Sequence, residues 1–167
     1  MPRDALVFVG TYTRGGSEGI YPYRLDLATG ALEQLAGAGK VENPSFLAVA
    51  PNGRFLYAVS ETESFAGGQS GAVSAFALDP ATGGLSLLNQ QPSEGRGPCF
   101  VSVDGTGSCA LVANYSGGSV AQLPIRSDGS LGGVREAIVA IRGSIIPEPF
   151  AMPPTRNEPI SVRTSTA

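Results

Sequence analysis

Histidine is missing from this 167-residue chain altogether, and cysteine occurs only twice, at Cys99 and Cys109. The first absence removes the usual proton carrier near neutral pH. Two cysteines ten residues apart, with no histidine, do not complete a metal site either. Both fall in strand-like runs and read as small buried hydrophobes. Charge is sparse: Asp, Glu, Lys and Arg make up 15% of the chain, and the net charge is −3. Nothing here would neutralise a row of phosphates, so no nucleic-acid partner is expected. No apolar run approaches the ~18 residues of a membrane span, so no membrane partner is expected. The opening Met1-Pro2-Arg3-Asp4 leads directly into a strand-like run and lacks the apolar stretch of a signal peptide. A cytoplasmic location is the expectation.

What the chain does have is glycine, 23 residues of it, with 13 prolines and 42% hydrophobic residues. That balance favours short strands joined by tight turns. Three runs read alike: Phe8-Val9-Gly10-Thr11-Tyr12, Leu56-Tyr57-Ala58-Val59-Ser60-Glu61 and Leu111-Val112-Ala113-Asn114-Tyr115. Tyr12, Glu61 and Tyr115 hold the same place in them, at spacings of 49 and 54. Each run passes through a glycine-containing turn into a second strand, aligning Ile20, Val73 and Val120 and then Tyr23, Phe76 and Leu123. A third element follows Asp26…Thr29-Gly30, Asp79-Pro80-Ala81-Thr82-Gly83 and Asp128-Gly129, where Asp and Gly supply turn geometry. A fourth recurs as Asn43-Pro44-Ser45-Phe46-Leu47-Ala48-Val49 and Gly97-Pro98-Cys99-Phe100-Val101-Ser102-Val103. Four short antiparallel strands in about fifty residues is the size of a β-propeller blade.

The expected fold is therefore all-β: an incomplete β-propeller of about three blades over residues 5–133. Propellers close with roughly four to eight blades. An open arc leaves blade edges and inter-blade faces uncovered, so self-association through those edges is expected. Residues 134–167 contain five prolines and one glycine and break the pattern. Val134 to Ile141 could form one strand, and the rest of this divergent tail reads as irregular.

Several of these motifs, in this order, resemble the lactonase family of seven-bladed propellers, the 6-phosphogluconolactonase type. They are Val9-Gly10-Thr11-Tyr12-Thr13, Asn43 to Val49, Gly53 to Val59 ending at Glu61, Gly97 to Asp104, and Val112 to Val120. The resemblance covers about residues 5–133. It implies hydrolysis of a sugar lactone, notably 6-phosphogluconolactone in the pentose phosphate pathway, without a metal or other cofactor. It also implies a histidine where Phe100 stands, and a Pro-His-Ala-His-Ser motif where Pro153 to Glu158 stand. With four blades lacking as well, the chain is expected to be a truncated gene product, its frame shifted after about residue 133, with little turnover by itself.

Opening a lactone needs a base for water, a partner for the carbonyl oxyanion and contacts to anionic groups. In a four-stranded meander, the ends of one strand and the starts of its neighbours share one side. Tyr12, Glu61, Asn114 and Tyr115 are therefore expected on one mouth, with Ser45, Cys99 and Phe100 beside them. Glu61, the only carboxylate at these strand ends, is the candidate catalytic residue. Tyr12, Arg96, Asn114 and Tyr115 are candidate rim residues for substrate. The bland readings are a solvated glutamate, an asparagine bonded to a turn, tyrosines packed between blades, and an arginine on a mobile loop. The alternatives in function are a non-catalytic module that binds a sugar acid or a protein partner, and an inactive product.

Overall fold

A computed structural model describes residues 3–139 of the chain. Every regular element in it is a β-strand, and no helix long and apolar enough to cross a membrane occurs among the described residues. The first sheet holds β1 (Asp4–Gly10), β2 (Gly19–Asp26), β3 (Leu32–Gln34) and β4 (Gly39–Lys40). The second runs β5 (Leu47–Val49), β6 (Phe55–Ser60), β7 (Ala72–Leu78) and β8 (Leu85–Pro92). The third runs β9 (Pro98–Val103), β10 (Cys109–Asn114), β11 (Ser119–Pro124) and β12 (Glu136–Val139). All pairings are antiparallel. The chain thus forms three consecutive four-stranded blades of a partial β-propeller.

Burial explains the sequence pattern of each blade. Side chains alternate faces along a strand. On β6, Leu56 and Ala58 pack toward the first sheet with Ile20, Val41 and Phe76, while Tyr57 and Val59 pack toward the third with Val101, Val112, Ala121 and Leu123. Both faces are covered, so the run is apolar throughout and is buried from Leu56 to Ser60. Each large aliphatic residue buried there contributes about 1.5–3 kcal/mol relative to exposure. Among the described residues, β10 is covered only on the face toward the second sheet. Ala110 and Val112 are buried, whereas Leu111 is exposed. Phe100, Ala113 and Val120 form one row across β9, β10 and β11, and Phe100 and Val120 are exposed.

The phase of the repeat differs from the sequence expectation. The segment taken as the fourth strand of one unit pairs instead with the first strand of the next, as β5 with β6 and β9 with β10. The reason is the short turn between them, Pro51-Asn52-Gly53 or Asp104 to Gly107, which closes a hairpin. The single strand expected within 134–141 is β12, which pairs with β11 from Ser119↔Val139 to Gln122↔Glu136. The remainder of the tail lies outside the described residues. The cysteines lie in strands β9 and β10 as expected, but both are half-buried, not core, and neither is in a disulfide.

Candidate functional site

The strand ends collect at one mouth. β1, β6 and β10 end there, and β2, β7 and β11 begin there. Tyr12 and Glu61, one or two residues past their strands, meet across the seam between the first two blades. The Tyr12 phenol donates to Glu61 Oε2 at 3.0 Å. The Tyr12 ring stays 55% exposed, so a molecule approaching the mouth can reach both groups. Ionisation of this phenol is pushed above the ordinary tyrosine value, first by the bond to Glu61 and then by that residue's charge. Slight burial and Cys99 add to the shift, and Arg14 opposes it. The phenol is therefore held as a proton donor facing a carboxylate.

Other aromatic side chains are exposed at the same end of the blades. Tyr115 is 68% exposed at the tip of the β10–β11 turn, where Gly118 N–H donates to the Tyr115 carbonyl at 3.2 Å. The ring of Phe46, the residue before β5, and the ring of Phe100 in β9 lie 4.6 Å apart at 48°. Phe46 carried no signal beyond its place in the repeat, and only the packing of the second blade against the third brings it to Phe100.

Arg96 lies on the loop between β8 and β9, with its Nε 3.7 Å from Glu63 Oε2. The backbone of this loop is hydrogen-bonded to its neighbours on both sides. Gly71 N–H donates to Gly95 O at 2.8 Å, Gly97 N–H to Thr62 O at 3.0 Å, Tyr115 N–H to Gly97 O at 2.8 Å, and Gly117 N–H to Arg96 O at 2.9 Å.

Asn114, a candidate for the rim, lies buried in the seam beneath it. It is 2% exposed, because alternation along β10 puts it on the same face as Val112, toward the second blade. Its Nδ2 donates to Ser93 O and to Ser119 Oγ, both at 3.0 Å, so it ties two blades together beneath the mouth. Its Oδ1, with Ser45 Oγ and Ser60 Oγ, is buried without a hydrogen-bond partner among the described residues. Cys99 is the extra residue where the β9–β10 register shifts, and its thiol lies 3.8 Å from the Ala113 carbonyl. Two shallow hollows lie at the opposite end of the blades, around the 3.5 Å Asp4–Arg24 ion pair, away from this rim.

Residues 6–151 match the family model of the lactonase, 7-bladed beta-propeller. A 6-phosphogluconolactonase of Bacillus subtilis (strain 168) is 44% identical over 124 residues, which are 74% of this chain and 34% of that protein. The solved periplasmic gluconolactonase of Pseudomonas aeruginosa superposes with a TM-score of 0.71 at 39% identity, covering 80% of this chain and 38% of its own. A Bacteroides fragilis structure described as a candidate 6-phosphogluconolactonase superposes with a TM-score of 0.77 at 39% identity, covering 85% of this chain and 38% of its own. The chain spans about a third of the length of the curated relatives it matches.

Proposed function

The chain belongs to the family of seven-bladed β-propeller lactonases, and from that premise we propose that its rim binds and opens a sugar lactone of the 6-phosphogluconolactone kind. The observation that carries this reading is the Tyr12–Glu61 hydrogen bond, which presents a phenol and a carboxylate together at an open, aromatic mouth. A sugar ring would lie against the exposed faces of Tyr12 and Tyr115. Glu61 would take a proton from water as the water oxygen bonds to the lactone carbonyl carbon. Tyr12 would turn its hydrogen to the carbonyl oxygen as negative charge builds there. The ring C–O bond then breaks, its oxygen takes the proton back from Glu61, and the product is an open-chain hydroxy acid. A phosphate on the sugar would meet Arg96 in competition with Glu63.

A second reading, a module that binds a sugar acid without opening a lactone, is favoured by one observation. The chain has no histidine, so proton transfer would rest on carboxylates exposed to water. Acid release from the lactone, beside thermal melting with 6-phosphogluconate, separates the two. We expect saturable stabilisation by the sugar acid and a small excess over spontaneous ring opening that Glu61→Gln removes. Stabilisation with no excess supports the second reading, and neither effect overturns both. A phosphorylated substrate would put the protein in the cytoplasm and the pentose phosphate pathway. Running unphosphorylated gluconolactone in parallel tests that choice.

A further inference from the structure

The Tyr12–Glu61 bond joins two blades through exposed side chains, and exposed contacts of this kind hold little geometry by themselves. Their backbones must be fixed by something else. We propose that Asn43 is the positioning residue of this rim, clamping the Tyr12–Thr13 segment of the first blade to Glu61 of the second. Its importance to catalysis rests on the function proposed above, but the clamp itself is testable without it.

Asn43 reaches both partners at once. Its Oδ1 accepts from Thr13 N–H at 3.0 Å and from Thr13 Oγ1 at 3.1 Å. Its Nδ2 faces the Glu61 carbonyl at 3.5 Å. Its own carbonyl accepts from Glu61 N–H at 3.0 Å and from Ser45 N–H at 2.8 Å. The residue holds φ at 44°, directly before Pro44, where a left-handed side chain is uncommon and the following proline narrows the choice further.

The third blade shows which part of this is backbone and which is side chain. Gly97 stands before Pro98 as Asn43 stands before Pro44. It too is left-handed, at φ 59°, and its carbonyl accepts from Tyr115 N–H at 2.8 Å, as Asn43's accepts from Glu61. Glycine thus builds the turn unaided. The asparagine at the second blade adds only the side-chain bonds, and those run to the segment that carries Tyr12.

Asn43→Gly copies the third blade and removes the clamp alone. The readout is Tyr12 ionisation, followed by NMR of the whole chain carrying tyrosine labelled at its Cζ, with Tyr12 identified by its loss in Tyr12→Phe. In the parent, Tyr12 titrates above the ordinary value because Glu61 faces it, with Cys99 acting in the same direction and Arg14 against. In Asn43→Gly we expect it to fall back toward about 10, as in Glu61→Gln, while the resonance of the distant, buried Tyr57 is unchanged. Thr13→Ala, which removes one donor from the other side of the clamp, should move Tyr12 the same way by less, and it decides the matter if Asn43→Gly does not fold. An unchanged Tyr12 titration in the folded variant overturns the proposal. A moved titration in a chain that opens no lactone leaves the clamp standing and removes only its catalytic meaning.

Discussion

Tyr57 lies fully buried in the seam between the second and third blades, and its hydroxyl donates to the Gly129 carbonyl at 2.9 Å. Burial, with a smaller contribution from Asp128, pushes its ionisation up to about 12. A phenol whose folded value lies above the unfolded value of about 10 stabilises the fold fully below pH 10 and loses that contribution as pH rises through 12. Tyr57→Phe leaves the carbonyl without its donor. It should cost about 1–2 kcal/mol in a denaturant melt at neutral pH, and the difference from the parent should shrink above pH 10. Equal stability at neutral pH would show that the bond contributes nothing. At this scale the sequence was partly legible. Tyr12, Glu61 and Tyr115 emerge from their shared place in the repeat. The burial of Asn114 was not legible, because which face of β10 is covered depends on the neighbouring blade. Asn43 was missed, though its alignment with Gly97 before a proline was a visible sign of a left-handed position.

At the end of the blades away from the rim, aspartates organise the turns. Asp104 accepts from Ser108 N–H and Cys109 N–H, both at 2.8 Å, and from the Thr106 hydroxyl. The Thr106 hydroxyl and then the backbone N–H groups hold its carboxyl down at about 2. Asp26, Asp79 and Asp128 are lowered in the same direction by their own turns. A depressed folded value means stability that is present above the unfolded value near 3.8 and lost as pH falls toward 2. Thermal midpoints measured between pH 5 and 2 should fall mostly below pH 4, and Asp104→Asn should flatten that fall. An unaltered profile in the variant would contradict the assignment. These turns and the strands they join were readable because Asp, Gly and alternating apolar residues recur together. The phase of the blade was not, since a repeat shows its period without showing which neighbours hydrogen-bond.

Among the described residues, the second blade is covered on both faces and each outer blade on one. This is why β6 is buried almost throughout and β10 alternates. The same stacking sets the rim, because it brings Tyr12 of one blade to Glu61 of the next. That juxtaposition is the central claim, and a crystal structure of the chain soaked with 6-phosphogluconate tests it most directly. The account predicts the sugar acid seated against Tyr12 and Glu61 with its ring on the exposed aromatics. Sugar acid bound only elsewhere, or a rim left empty at saturating concentration, would contradict it.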